Sequence, residues 1–313
     1  MALDGSVAGG SGSAYNHGNS AKSVPSGRLS PVEADSVLED FWDEDVVAWD
    51  RHWVPVFRLF ARDLVADASP TRGDVVLDVG TGTGVAAIEA CRAIPSVGLV
   101  VGIDRSRAMI EYARKKTVRA GLRNLRFHKM AVDSLRFPDG FFDAVISNCG
   151  IGIPSLAEGM REVLRVLRPS GVLVFNDWHL IDVEPHRVFG EVLGECRTKN
   201  PSPELARGRA ALASMESFHR SLSPETQKRI VHEAGFGEAK LVTRKYRIRM
   251  QNVKEYVDMR LCRATIKREM AEMSTDQHAL FASELNERLG KFVLRKSFVF
   301  DWNVFYIRAK KPR

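Results

Sequence analysis

The chain has 313 residues, of which 44% are hydrophobic and 27% charged, the balance of a globular protein with a sizeable core. No run of 18 apolar residues occurs, and the first residues lack a basic segment followed by an apolar one, so we predict neither a membrane span nor a secretory signal. The net charge of +7 is mild for this length. The four cysteines have the spacing of neither a zinc site nor a disulfide framework, which predicts no metal and a reducing, cytoplasmic compartment.

Residues 1–30 contain six glycines and seven serines and little that could form a core, so a disordered tail is predicted. From 31 to 70 the apolar spacing predicts amphipathic helices broken near Pro55. Three of the five tryptophans lie in this segment, where core packing explains them and a helical lid over an organic substrate is a second use. These helices are equally compatible with packing against a second copy of the chain, so a homo-oligomer stays open.

Residues 71–177 alternate between apolar, β-branched runs and helical patterns, which predicts a mostly parallel α/β sheet with helices on both faces. The expected strands are 75–79, 99–103, 125–132, 142–147 and 172–175. In such a sheet a ligand lies beyond the carboxyl ends of the strands, where the strand order reverses. After residue 177 we expect helical cap insertions near 180–222 and 251–290, the second with two helices. A strand is expected over 240–250, and the last strand or a hairpin over 292–309.

The first strand runs into a loop with alternate glycines, Gly80, Gly82 and Gly84. A dinucleotide site has the spacing G-x-G-x-x-G, and a Walker loop ends in Gly-Lys-Ser/Thr, so neither pattern matches. Asp78 precedes the glycines and would repel a pyrophosphate. A cationic nucleoside without phosphate, S-adenosylmethionine, fits better, and Asp104 at the end of the second strand is placed to accept two ribose hydroxyls.

Four linked stretches carry a resemblance: VLDVGTGTG, GIDRSRAMIEYAR, LRFPDGFFDAVIS and MREVLRVLRPSGVLVF. In order and spacing, 74–176 resembles the class I S-adenosylmethionine-dependent methyltransferases. It is similar to the small-molecule branch with ubiquinone/menaquinone-type C-methyltransferases and natural-product O- and N-methyltransferases. The resemblance implies a Rossmann-like, doubly wound, seven-stranded sheet and a methyltransferase domain over 71–313.

The resemblance also implies roles for individual residues. Asp78 would hold the amino group of the cofactor through water or backbone, and Gly80, Thr81 and Gly82 would contact its methionine end. Asp104 would bind the ribose, Arg105 would lie against the adenine, and Met109 would pack near the base. The residues implied on the methyl-transfer side are Ser147, Asn148 and Cys149.

One position departs from the family pattern. Where the family often has an acid that accepts from the adenine amino group, this chain has Ala131. Asp133, two residues on, either substitutes for that acid or caps a turn. The backbone of Ala131 and Val132 is also placed to read the adenine edge.

Methyl transfer needs alignment, and a base where the acceptor loses a proton. Asp177, Trp178, His179 and His186 follow the fifth strand, and we predict His179 as the base because it lies at the carboxyl edge of the sheet. His52 in the predicted lid is a weaker candidate. Since the variable parts contain Trp, Phe, Met and Leu, a small apolar or aromatic acceptor is expected.

Other readings use different features. Nine Lys/Arg against three acids between 241 and 270 would suit an RNA or protein methyltransferase that uses the basic stretch 244–268. A solvated strand and helix surface explains the same charges, and no recognisable RNA-binding module is present. A descendant that binds S-adenosylmethionine without methylating is a further alternative, because a fold can host other chemistry.

Overall fold

The computed structural model describes residues 29–38, 43–94, 97–151, 156–178 and 183–313. The predicted tail therefore lies outside the described residues, apart from its last two. The strands are β1 Val75–Val79, β2 Leu99–Asp104, β3 Leu125–Lys129, β4 Phe142–Asn148, β5 Leu167–Asp177, β6 Lys240–Met250, β7 Val293–Leu294 and β8 Ser297–Lys310. The helices are α1 Pro31–Leu38, α2 Val46–His52, α3 Val54–Ala68, α4 Val85–Ala93, α5 Arg107–Arg119, α6 Leu156–Val166, α7 Glu184–Cys196, α8 Pro203–Ser221, α9 Pro224–Glu233, α10 Val253–Leu261, α11 Ala264–Ala271 and α12 Thr275–Leu289.

The strands form one sheet in the order β3-β2-β1-β4-β5-β8-β6, and the two-residue β7 pairs with β8 at its side. Strands β1 to β5 pair in parallel, whereas β8 runs antiparallel to both β5 and β6. The predicted mostly parallel, doubly wound sheet is confirmed, with the short β7 added to the seven strands expected. The order reverses between β1 and β4, so a crevice opens there beyond their carboxyl ends.

Apolar side chains from both faces of the sheet are buried. One cluster joins β1, β2 and β4 to α3 and α4, with Phe60, Leu64 and Ala87 fully buried. The cluster on the other face contains Met160 and Val163 of α6. The inner strands β1, β2 and β4 are covered on both faces, so their sequences are mostly continuous apolar runs, whereas the edge strand β3 alternates buried and exposed residues.

The N-terminal helices have two different positions. Helix α3 packs in the main core, whereas α1 packs on α8 through Ala34, Leu38 and Ala211. The predicted helix start is present, since Glu33 accepts a hydrogen bond from the Ser30 amide at 2.8 Å. The predicted break near Pro55 falls at Trp53, because proline is tolerated in the first turn of α3.

Three boundaries differ from the sequence predictions. The strand expected over 125–132 ends at Lys129, and the chain then turns along the carboxyl edge of the sheet. Strand β5 begins at Leu167, ahead of the expected 172, since Leu167 pairs with Phe142 across a register shift. The segment 251–290 holds three helices, with a break at Arg263 that no glycine or proline marks. Among the described residues, no helix is long and apolar enough to cross a membrane.

Candidate active site

A cavity of about 570 Å³ lies at the carboxyl ends of β1, β2, β4 and β5, with α1 and α8 along its other side. Twelve of the predicted cofactor residues line it: Asp78, Gly80, Thr81, Gly82, Asp104, Arg105, Met109, Ala131, Val132, Asp133, Asn148 and Cys149. Ser147 does not line the cavity, contrary to the prediction. Ser147 is fully buried. Its hydroxyl donates to the carbonyl of Val79 at 2.8 Å, and this hydrogen bond joins β4 to the end of β1.

Asp78 is the penultimate residue of β1, and its side chain is fully buried. Its Oδ2 accepts from the Thr81 hydroxyl at 2.6 Å and from the Ala87 amide at 2.9 Å. Its Oδ1 is buried with no hydrogen-bond partner among the described residues. Burial and, to a smaller extent, the charge of Asp104 raise the pKa of Asp78 to about 7, against the opposing effect of the two hydrogen bonds. Because the carboxylate is shielded from solvent, it would act on an ammonium group in the cavity through its charge and through the loop that it supports, without direct contact.

The glycine loop crosses the segment that follows β4. A Cβ at Gly80 would lie 2.2 Å from the carbonyl oxygen of Gly150, so the two backbones meet where only glycine fits. A Cβ at Gly82, with φ of +53°, would meet nothing within 4 Å. The loop is therefore tight on one side and open on the other, as close approach of a ligand to its backbone requires. Gly150 was missed by the sequence analysis, although it directly follows the predicted cofactor residues at 147–149.

Asp104 ties the end of β2 to the same loop. Its two carboxylate oxygens accept from the Gly82 amide at 2.8 Å and the Ser106 amide at 2.9 Å. Burial raises its pKa, and these backbone hydrogen bonds oppose the rise. Each oxygen keeps a further lone pair for a hydroxyl in the cavity.

Arg105, which directly follows β2, connects the carboxyl edge of the sheet to helix α1. Its guanidinium forms a two-pronged ion pair with both carboxylate oxygens of Asp35 in α1, one bond measuring 2.6 Å. Both residues line the cavity, so the pair holds α1 over the region where adenine contact is predicted. Met109 of α5 also lines the cavity, and 5% of its surface is exposed.

Residues 131–133 form an exposed rim of the cavity. Val132 packs toward Gly159 of α6, where a Cβ would come within 3.0 Å of it. Asp133 is exposed and lies at the cavity edge, so the structure leaves both predicted roles for it open.

A hydrogen-bond chain fixes the end of β4. The side chain of Asn176 on β5 donates to Asn148 Oδ1 at 2.9 Å, and its Oδ1 accepts from the Cys149 amide at 2.8 Å. Asn148 in turn donates to the carbonyl of Phe57 in α3 at 3.3 Å. Burial raises the pKa of the Cys149 thiol well above its usual value, so the thiol stays protonated at neutral pH.

A histidine and a carboxylate meet at the end of β5. His219 Nε2 on α8 lies 2.9 Å from Asp177 Oδ2, and Gln227 on α9 donates to the same oxygen at 3.4 Å. Burial alone would lower the pKa of His219, but the hydrogen bond and charge of Asp177 outweigh it and leave the pKa raised. All three side chains line the cavity. Asp177 was among the candidates predicted from the sequence, whereas His219 and Gln227 were not. No motif in the neighbouring sequence distinguishes these two residues from others in a helical segment.

The other predicted bases have different positions. His179 lies outside the described residues. His186 does not line the cavity: it is 3% exposed, its Nδ1 lies 2.8 Å from the Tyr256 hydroxyl, and burial holds its pKa well below the usual value. His52 is also absent from the cavity lining.

Aromatic side chains wall the rest of the cavity. Trp49 and Trp53 stack with ring centroids 5.2 Å apart, and Phe57 and Trp178 continue this wall. Leu212 and Met215 of α8 add aliphatic surface opposite the sheet. Among the described residues, no group of histidine, cysteine or acidic side chains could hold a metal ion.

Comparisons with known proteins agree with this geometry. Residues 70–235 match the family model described as a methyltransferase domain. A ubiquinone/menaquinone biosynthesis C-methyltransferase of Francisella philomiragia is 28% identical over 191 residues, which cover 58% of this chain and 74% of that protein. An aklanonic acid methyltransferase of a Streptomyces species is 33% identical over 136 residues, 43% of this chain and 62% of that protein.

A solved structure shares the fold. Phosphoethanolamine N-methyltransferase 2 of Haemonchus contortus, in complex with phosphomonomethylethanolamine and S-adenosylhomocysteine, superposes with a TM-score of 0.51 at 17% identity. The match covers 90% of this chain and 61% of that one. The family model spans more than half of the chain, so the chain belongs to the methyltransferase domain family, and the class I, S-adenosylmethionine-dependent methyltransferase that its motifs predicted is confirmed.

Proposed function

We propose that this enzyme methylates an oxygen, nitrogen or carbon atom of a small apolar or aromatic acceptor. The observation that carries the proposal is one continuous cavity. It joins the carboxylates of Asp78 and Asp104 to an aromatic wall and to the Asp177–His219 pair. When bound, S-adenosylmethionine supplies an activated methyl group.

The chain's own groups fit that cofactor. Asp78, whose carboxylate is buried and accepts from the Thr81 hydroxyl, holds the amino group through water or through the backbone of the glycine loop. Asp104 accepts from the ribose hydroxyls while the Gly82 amide keeps its carboxylate in place. Asp35 and Arg105 close α1 over the adenine side. Each group is fixed before the ligand arrives, so little ordering cost is left for binding.

The aromatic wall sets the class of acceptor. Trp49, Trp53 and Phe57 line the cavity, and their apolar surface suits an apolar or aromatic molecule. The relatives support this class by name, since one acts in ubiquinone/menaquinone biosynthesis and another on aklanonic acid. The alignment of donor and acceptor in a walled cavity provides much of the rate of such a displacement.

His219 takes the role of base that the sequence analysis gave to His179. An Nε2 proton donated to Asp177 fixes the tautomer in which Nδ1 is the basic nitrogen. The Asp177 carboxylate also stabilises the imidazolium formed when His219 takes a proton from the acceptor. The step moves one proton from an acceptor O–H, N–H or acidic C–H to Nδ1.

The basic stretch 244–268 offers less support for a nucleic-acid acceptor. Five of its nine cations are already in ion pairs within the chain: Arg244–Asp67, Lys245–Asp301, Lys254–Asp258, Lys267–Asp45 and Arg268–Glu44. Their positive charge is therefore largely compensated, which supports reading the stretch as a solvated surface.

The test is transfer of labelled methyl groups from S-adenosylmethionine to a panel of hydroxylated and aminated aromatic compounds, with wild type, His219→Ala and His219→Gln. We expect kcat to fall by about 10²–10⁴ in both variants, the usual contribution of a general base. In both variants, kcat measured at saturating S-adenosylmethionine should no longer fall at acid pH. Their affinity for S-adenosylhomocysteine should equal that of the wild type. His232→Ala, an exposed position on α9, is the matched control.

Two results would contradict the proposal. A wild type that binds S-adenosylhomocysteine but methylates no compound of the panel would favour a descendant that only binds the cofactor. A His219→Ala variant with wild-type kcat and an intact acid limb would remove His219 from the mechanism.

A further inference from the structure

Arg263 lines the wall of the cavity and has no ion-pair partner among the residues that the structure describes. It lies at the break between α10 and α11, and its side chain lines the cavity together with Trp49 and Leu212. It forms no ion pair and no side-chain hydrogen bond with any residue that the structure describes. The neighbouring cations of α11 differ, since Lys267 pairs with Asp45 and Arg268 pairs with Glu44 at 2.6 Å.

A second guanidinium, that of Arg260, lies near Arg263 and adds to the positive charge. Arg260, one turn earlier, is 5% exposed and stacks over the ring of Phe189 at 4.9 Å. Its Nε and Nη1 atoms have no hydrogen-bond partner among the described residues. Burial, and then the charge of Arg260, lower the pKa of Arg263 to about 10, so its guanidinium still carries a charge at neutral pH. Arg263 is partly exposed, and a guanidinium that has lost part of its hydration is stabilised when an anion binds beside it.

Two acids near Arg263 do not fill that role. Glu216 of α8 lies on the cavity wall and acts electrostatically on both Arg263 and His219, but no ion pair within 4 Å joins it to Arg263 among the described residues. Glu269 of α11 is taken by Arg209 at 2.6 Å. The charge therefore faces the space that the acceptor would occupy, in the same part of the cavity as the base.

We infer that Arg263 binds a carboxylate of the acceptor, so that the substrate of the proposed reaction is an aromatic carboxylic acid. This inference rests on the proposed function. The planar guanidinium matches a carboxylate with two parallel hydrogen bonds. Trp49 and Trp53 hold the ring system beside it. Arg263 thereby selects acidic acceptors and fixes which atom of the ring reaches the methyl donor.

The test compares acids with uncharged amides of the same shape. Protein saturated with S-adenosylhomocysteine is titrated calorimetrically with 1-hydroxy-2-naphthoic acid, 3-hydroxy-2-naphthoic acid and anthraquinone-2-carboxylic acid, and with their carboxamides. We expect at least one acid to bind the wild type at least about tenfold more tightly than its amide, about 1.4 kcal/mol. Arg263→Gln should reduce the affinity of that acid to the level of the amide and leave the amide unchanged.

Controls separate this effect from misfolding. Arg263→Lys keeps the charge and should retain part of the preference for the acid. Arg249→Gln, an exposed cation of β6, should retain all of it. The melting temperature of ligand-free Arg263→Gln should equal or exceed that of the wild type, because the substitution removes a charge that lacks compensation. A lower melting temperature would mean that Arg263 is paired after all.

The inference is overturned if no acid of the set binds better than its amide, or if Arg263→Gln weakens acid and amide equally. Its failure differs from failure of the proposed function. Equal methylation of acids and amides would refute the role of Arg263 and leave methyl transfer intact. Selective binding of acids with no methylation of any compound would refute methyl transfer and leave the role of Arg263 intact.

Discussion

Cofactor affinity should depend on pH through Asp78. Its pKa is about 7 in the ligand-free chain because the carboxylate is buried, yet its proposed task of holding the amino group requires the charged form. Lowering the pH from 8 to 6 therefore protonates the group that binds the ligand, and we expect binding to weaken over this interval.

The magnitude follows from the titration of a single group. With a pKa of about 7, the carboxylate fraction falls from roughly 0.9 at pH 8 to roughly 0.1 at pH 6. The dissociation constant should rise about tenfold, or about 1.4 kcal/mol. Thr81→Val removes the hydroxyl that donates to Asp78 Oδ2 at 2.6 Å with almost no change in shape. Because that hydrogen bond lowers the pKa, its loss should move the midpoint to higher pH.

The assay is calorimetric titration with S-adenosylhomocysteine between pH 6 and 8.5, in buffers of different ionisation enthalpy. Below the midpoint, binding to the wild type should release a proton. Asp78→Asn is the control and should bind weakly, without this release. A wild-type affinity that is flat with pH, or a Thr81→Val profile with the wild-type midpoint, would refute the reasoning.

Asp78 should also make the free energy of unfolding depend on pH, with the opposite sign from an acid whose pKa is lowered on folding. Its folded pKa of about 7 exceeds the unfolded value of about 3.9, so between these values the folded chain binds more protons. The contribution of Asp78 to stability is fully present below about pH 4. It is lost as the pH rises to about 7, by at most about 4 kcal/mol. Urea unfolding of the ligand-free wild type against Asp78→Asn across this window measures the loss.

Two further substitutions test the loop. Asp104→Asn should weaken binding of S-adenosylhomocysteine by about 1.5–3 kcal/mol, the usual loss for a hydrogen bond to a charged group, and unchanged affinity by calorimetry would reject the ribose role. Gly80→Ala should abolish cofactor binding and lower the melting temperature, because its Cβ would lie 2.2 Å from the Gly150 oxygen. Gly121→Ala, at a similar φ of +66° with open space around it, is the control for backbone strain alone, and equal losses in the two variants would show that the crossing with Gly150 is unimportant.

Local pattern was sufficient for the framework of the enzyme. The strands β1, β2 and β4 were predicted to within one residue at each end, because a strand buried on both faces has a continuous apolar sequence. Asp78, Gly82 and Asp104 were found for a related reason. The chemistry of the loop depends on residues near one another in the chain, and parallel strands bring their carboxyl ends to one edge.

Predictions failed where distant segments decide the structure. Strand β5 begins earlier than expected because Leu167 pairs with Phe142, and this pairing outweighs the turn residues at 169–171. Ser147 points away from the cavity, since its hydroxyl satisfies the carbonyl of Val79 on a neighbouring strand. Neither partner is visible in the local sequence.

The sequence by itself determined the fold, the methyl donor and the edge of the sheet where the two carboxylates lie. Only the tertiary structure decided what faces them. His219 is 42 residues from Asp177, and Arg105 is 70 residues from Asp35, so each pair exists only after helices pack against the sheet. Arg263 became a candidate only once its neighbours were seen to be paired with other residues. Periodicity reports which face of an element is buried, whereas the partner of a polar side chain depends on how separate elements pack together.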